Sequence, residues 1–188
     1  MKKILIISSA LLIFSCTNEV KEELNAVNNE ATFQKNVENF MEFTKRFGEE
    51  DIDGVMEMFA DSALWSPPEY NSYEWMSKDN LRSALSEYMS NFDNLSFTPG
   101  INLPGGNVVD GFWGGSRYRS DGAENSSSLS SASPNNIRAY GTWSSVHTET
   151  GKETFSKWYA IINFNEDGKI VRFNDWFNVD GLQTQVSQ

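Results

Sequence analysis

Gly168-Lys169-Ile170-Val171-Arg172-Phe173-Asn174-Asp175-Trp176-Phe177-Asn178 alternates apolar and polar residues with the two-residue period of a β-strand. On that period Val171, Phe173 and Phe177 share one face, and the residue that completes their stripe is a carboxylate, Asp175. The other face carries Ile170, Arg172, Asn174, Trp176 and Asn178, a mixture suited to a half-solvated surface. An ionised carboxylate in an apolar lining is unfavourable unless it is hydrogen-bonded, paired or functional. Three readings of Asp175 stay open at this level: an acid bonded to a neighbouring Trp or Tyr for structure alone, an acid that faces a pocket, or a strand whose register is set differently.

Outward from this strand, Asn165-Glu166-Asp167-Gly168 reads as the turn that leads into it, preceded by a strand from Thr154 to Asn165. Trp158, Ala160, Ile162 and Phe164 form that strand's more apolar face. Glu149-Thr150-Gly151-Lys152 turns it back onto a strand from Ile137 to His147, on which Trp143 and His147 share a face. Further upstream, Leu95, Phe97, Ile101 and Leu103 alternate with polar residues, and Pro99-Gly100 marks a bend. Between these strands, roughly residues 104–136, the alternation fails and Gly and Ser predominate. A loop of that length is usually functional or disordered. The expectation is a strand or flap within 107–119 and a mobile run over 120–135.

The first half of the chain has helical periodicity. Phe33, Val37, Phe40, Met41, Thr44 and Phe47 recur at three- and four-residue steps, and Gly48 supplies the stop. Asp51 can cap a second helix patterned by Ile52, Val55, Met56 and Phe59. Ala63-Leu64-Trp65 reads as a short strand broken by Pro67-Pro68. Ser77 can cap a third helix with Leu81, Ala84, Leu85, Tyr88 and Phe92 as its buried stripe. Helices first and long strands afterwards give an α+β fold class.

The closing strand, with Asp175-Trp176-Phe177 and Asp180-Gly181-Leu182 behind it, resembles that of the nuclear transport factor 2-like superfamily in its SnoaL-like branch. The resemblance covers residues 33–182 and implies a cone-shaped, curved antiparallel sheet wrapped around N-terminal helices, with a pocket in the concavity. It leaves function open, because members include isomerases, cyclases, epoxide hydrolases, dehydratases and domains that only bind. It also implies that Asp175 is the candidate catalytic acid or base. Two parts of the epoxide-hydrolase pattern are absent. Trp65 and Ser66 stand where that branch has Asn and Tyr, and no Arg-x-Asp pair occurs within Ala139-Tyr140-Gly141-Thr142-Trp143-Ser144. A homodimer through the convex face of the sheet, as in many relatives, is an option that the resemblance carries.

At the N-terminus, Lys2 and Lys3 precede an apolar run from Ile4 to Phe14 that is too short to span a bilayer and suits a signal-peptide core. Ile13-Phe14-Ser15-Cys16 resembles a bacterial lipobox. That predicts a signal over 1–15, lipidation of Cys16, a flexible tether over 16–32, the folded domain over 33–182 and a tail over 183–188. The implied location is the bacterial outer membrane, with the leaflet open. Cys16 is the only cysteine, so no intramolecular disulfide can form.

The whole chain carries 15 basic and 26 acidic residues, a formal charge of −11, and loss of Lys2 and Lys3 with the signal leaves −13. Nucleic acid is a poor partner for such a surface. A single His and no compensating acid spacing argue against a metal, and no motif points to a cofactor. His147, beside a turn, reads as a solvated strand-end residue. Two functions remain. In the first, a lipid-anchored domain binds a small, largely apolar molecule in an aromatic pocket whose candidate lining is Trp65, Tyr88, Trp143, Trp158, Phe173 and Phe177. In the second, an isomerase, cyclase or hydratase uses Asp175 for proton transfer, with Tyr88, Tyr140, Trp158 or Tyr159 as the donors at hand.

Overall fold

The computed structural model describes residues 5–102, 108–109, 111–114 and 133–187. Its elements run α1 (Leu5–Gly48), α2 (Ile52–Glu57), β1 (Phe59–Ser66), β2 (Met76–Ser77), α3 (Lys78–Asn91), β3 (Phe92–Pro99), β4 (Ile101–Asn102), β5 (Val108–Val109), β6 (Phe112–Gly114), β7 (Asn136–His147), β8 (Glu153–Phe164), β9 (Ile170–Phe177) and α4 (Val179–Ser187). The main sheet has the order β2-β1-β9-β8-β7-β3, with β6 also on β7. It is antiparallel except where β1 runs parallel to β9. β4 and β5 form a separate hairpin.

Three register shifts, between Phe59 and Leu64, Asp93 and Ser96, and Asn163 and Phe164, bend the sheet around the helices. β7 shares its outer edge between two partners. β3 covers its C-terminal half and β6 its N-terminal end, and Gly100 N to Tyr140 O (2.8 Å) and Tyr140 N to Gly111 O (2.7 Å) close the gap between them. Gly100 turns the chain there with φ of 89°, a value that suits glycine.

The core lies between α1 and the concave face. Phe40, Phe43 and Phe47 of α1 meet Phe59, Phe97, Trp143, Trp158 and Phe173 of the sheet at ring-centroid distances of 5.1 to 6.3 Å within one continuous aromatic cluster. Phe43 was not in the stripe read from the sequence, although it sits three residues from Phe40 and four from Phe47. The caps are as expected: Asp51 accepts from Gly54 N at 2.9 Å, and Ser77 and Asn80 form a capping box.

Several boundaries differ from expectation. Phe59 and Phe92, read as the last turns of α2 and α3, are instead the first residues of β1 and β3. Both remain buried, because a strand can deliver the same apolar side chain to the core that another helical turn would. On β9 the residue that joins Phe173 and Asp175 inside is Ile170, not Val171. The shift that pairs Asn163 with Arg172 and Phe164 with Ile170 leaves Val171 as the extra residue of a bulge.

The stretch expected to be a flexible tether continues α1 instead. It contains neither Gly nor Pro and is rich in Glu and Asn, so neither of the strong helix breakers interrupts it. Leu24 and Val27 nonetheless stay exposed. Among the described residues no helix is long and apolar enough to cross a membrane. Residues 183–187, read as a tail, are the second half of α4. β5 and β6 provide the strands anticipated within 107–119. Most of the 120–135 run lies outside the described residues, as does Leu103. Its end is docked, since the buried Asn36 donates to Pro134 O (3.1 Å) and Asn135 Oδ1 (2.9 Å).

Candidate functional site

β9 carries Asp175 onto the concave face directly opposite Ala160 of β8. Ala160 and Ala139 continue that row across β8 and β7, both fully buried. Asp175 is 7% exposed, and both its oxygens are engaged: Trp65 Nε1 donates to Oδ1 and Trp158 Nε1 to Oδ2, each at 3.0 Å. Indole N–H groups only donate, so the pair favours an acid that accepts at both oxygens. Burial outweighs these bonds, and the Asp175 pKa is pushed up to about 6. Glu69, from the loop after β1, adds to the rise by charge repulsion.

Asp175 forms part of the wall of a pocket with Phe43, Phe47, Tyr88, Trp143, Trp158, Phe173 and Phe177. The cavity measures about 90 Å³, and the empty space reaches about 620 Å³ when its open mouth is included. One buried water needs only ~10–15 Å³ of such room, so the cavity takes a ligand of several heavy atoms and its mouth allows a longer one to project. Leu182 of α4 stands at one side. None of the described lining residues is basic.

Five of the six expected lining residues, Tyr88, Trp143, Trp158, Phe173 and Phe177, converge here. Trp65 does not line the cavity; it braces Asp175 through its indole. Asp175 is thus bonded to two indoles and also forms part of the pocket wall. Of the four donors considered, Tyr140 and Tyr159 are on the opposite face. They form a cross-strand row with Trp176, with Tyr140 and Tyr159 at 6.2 Å and Tyr159 and Trp176 at 5.4 Å. Trp158 already donates to Asp175. That leaves Tyr88, whose hydroxyl has no hydrogen-bond partner among the described residues. Its pKa is raised, first by burial and then by the charges of Glu69 and Asp175. His147 is not in the lining; its Nδ1 meets Thr150 Oγ1 at 2.9 Å and its ring rests against Phe92.

The sequence reading missed a polar part of the wall: Ser145, Thr154 and Ser156. The signal was present, because Thr154, Ser156, Trp158 and Ala160 have the same parity on β8 and Ser145 shares the parity of Trp143 on β7.

By sequence, the SnoaL-like domain family matches residues 37–173. No curated protein matches the chain. Among solved structures, the fold is similar to that of a candidate isomerase from Bacillus subtilis, with TM-score 0.57 and 18% identity over 83% of this chain and 95% of that one. It is similar to a candidate polyketide cyclase from Xanthomonas campestris pv. campestris, with TM-score 0.56 and 12% identity over 82% and 98%. It is also similar to an NTF2-like protein of unknown function from Burkholderia pseudomallei, with TM-score 0.53 and 15% identity over 82% and 98%. At these identities the likeness is one of fold.

Proposed function

Because the chain belongs to the SnoaL-like domain family, matching it over residues 37–173, we propose that it uses the concave aromatic pocket to bind a small, largely apolar molecule. The observation that carries this is the position of Asp175: a carboxylate held by two indole N–H bonds in the wall of a cavity lined mainly by aromatic rings. The rings supply apolar contact area and the acid fixes orientation by accepting a hydrogen bond from the ligand, the usual division of labour in small-molecule sites. Mass spectrometry of small molecules retained by the purified full chain tests this reading. A compound present with the wild type and lost in Phe177→Arg supports it, and equal retention by both overturns it.

A second reading is favoured by one further observation, the Asp175 pKa of about 6. At neutral pH such a group is about ten-to-one ionised, so its resting role is that of a base, and its conjugate acid is strong enough to return the proton. Tyr88, which stays protonated, is the donor available to a developing oxyanion. Proton abstraction next to a carbonyl, followed by return of the proton elsewhere on the same molecule, fits these two groups. The retained compound, incubated with the protein in deuterated water, gains deuterium in the wild type and none in Asp175→Asn on this reading. Equal exchange in both leaves the pocket a binding site only.

We also propose that the domain is anchored to the bacterial outer membrane by lipid on Cys16, on the strength of Lys2 and Lys3, the apolar run and Ile13-Phe14-Ser15-Cys16. Cys16→Ser should then move the chain to the soluble fraction. An unchanged membrane fraction overturns the anchor and leaves the pocket reading untouched.

A further inference from the structure

The pocket has a second polar end. Along β8 the inward residues run Ala160, Trp158, Ser156, Thr154, and Ala160 stands opposite Asp175. Four residues at ~3.3 Å each put Ser156 about 13 Å along the wall from the row of the acid. Across from it, β7 sets Trp143 against Ser156 and Ser145 against Thr154. All three hydroxyl residues line the cavity, and the row of Trp158 and Phe177 lies between them and the row of Asp175.

These hydroxyls are unevenly satisfied. Ser145 Oγ and Thr154 Oγ1 are 2.7 Å apart, and Thr154 Oγ1 also reaches the Ser145 carbonyl at 3.4 Å. With the Thr154 proton on that carbonyl, Ser145 donates to Thr154 and keeps its own lone pairs free. Ser156 Oγ has no hydrogen-bond partner among the described residues. Apolar side chains would complete this wall with no hydroxyl left to satisfy, so the polar end is a feature that a ligand's polar group would use.

The charge of the site narrows that group. With no lysine or arginine in the described lining and Asp175 at the far end, an anionic group finds no counter-charge. Hydroxyls both donate and accept, which suits a neutral hydroxyl, carbonyl or amide oxygen.

The geometry points to a two-ended ligand: a neutral, elongated molecule with an apolar middle, one polar group at Asp175, and a hydroxyl or carbonyl at Ser145 and Ser156. Allowing a hydrogen bond of about 3 Å at each end, its polar atoms are roughly 7 to 13 Å apart when the far one meets Ser156. This inference rests on the pocket being a ligand site.

Calorimetric titration of the full chain with biphenyl, para-hydroxybiphenyl, para,para-dihydroxybiphenyl and the hydroxybiphenyl carboxylate tests it. The dihydroxy compound should bind the wild type about five- to tenfold more tightly than the monohydroxy one, the value of one neutral hydrogen bond. That advantage should fall below about twofold in a Ser145→Ala, Ser156→Ala double variant. Ser156→Ala alone, which breaks no side-chain hydrogen bond among the described residues, should reduce it by at least about twofold. Equal wild-type affinities for the two phenols, or an advantage that survives the double variant, overturn the two-ended ligand while the pocket reading stands. Carboxylate binding as tight as that of the diol overturns its neutrality. Failure of all four compounds to bind overturns both readings.

Discussion

Trp65 and Asp175, 110 residues apart in the chain, meet through a 3.0 Å bond from the indole N–H to Oδ1. The parallel pairing of β1 with β9 makes this contact, since it sets Trp65 beside Phe173 and Ser66 beside Asn174. The bond opposes burial, being the larger of the two indole contributions that lower the acid's pKa.

Removing that donor should therefore raise the titration further. In Trp65→Phe the ring is kept and the N–H is lost, so the Asp175 pKa should rise above about 6, by roughly one unit. Carboxyl carbon chemical shifts followed through an NMR titration would report it. A value near the free-acid ~3.9 in either protein would show a solvated carboxylate and remove the premise of a buried acid.

A raised carboxylate pKa also has a signature in stability. The folded value of about 6 lies above the ordinary value of 3.8, so the folded state holds the proton more tightly. The contribution from this group is then fully present below about pH 3.8 and is lost as pH rises through about 6. Asp175→Asn removes the titration, although its amide NH₂ must face one of two indole donors and leaves that donor unsatisfied. On lowering the pH from about 7.5 to about 5, the wild type should gain about 1.4 kcal/mol in urea unfolding relative to the variant. A difference that is flat with pH, or of opposite sign, would contradict the burial of the charge.

How far these features were legible depends on the range of the interaction that makes them. Local periodicity is written in the sequence: the α1 stripe from Phe33 to Phe47, the Ser77 cap, the three long strands and the inward Asp175 all follow from it. A bulge is not, because one inserted residue resets the alternation without any change of composition, so Val171 was placed where Ile170 belongs. Phe59 and Phe92 were misassigned because a helix end and a strand start can bury the same ring. The role of Trp65 depends on a pairing between strands distant in the chain, which no local pattern encodes. Ser145, Thr154 and Ser156 have the right parity, but a small hydroxyl residue suits a solvated strand face as well as a pocket wall, so parity alone does not single them out.

The contact of β3 with β7 has its own test at Gly141. A Cβ there would lie 2.5 Å from the Phe97 ring and 2.5 Å from Thr98 O, so a backbone atom as well as a ring must shift. Gly141→Ala should lower stability by about 1 to 3 kcal/mol, the range for overpacking a filled core, with a matching fall in Tm. An unchanged Tm would mean that the edge of the sheet yields more freely than the pairing of Phe97 with Trp143 implies.

The last prediction concerns α4, which borders the pocket through Leu182 while burying none of its own residues. Its hold on the sheet is polar. Gln185 accepts from Phe155 N at 2.9 Å and donates to Phe155 O at 3.0 Å, and Lys152 Nζ donates to Val186 O at 3.2 Å. β9 ends at Phe177, opposite Trp158, so the Phe155 backbone has no strand on that side and the Gln185 amide takes a strand's place. Gln185→Ala removes both bonds with little loss of apolar contact. Elements held by few buried contacts open locally at low free energy, so amide exchange in α4 should accelerate several-fold while that of β7 and β8 stays as in the wild type. If α4 exchange is unchanged, the helix is held by its apolar side, through Leu182, and the Gln185 bonds are incidental. If β7 and β8 accelerate as well, α4 is part of the cooperative core and not a separately opening wall of the pocket.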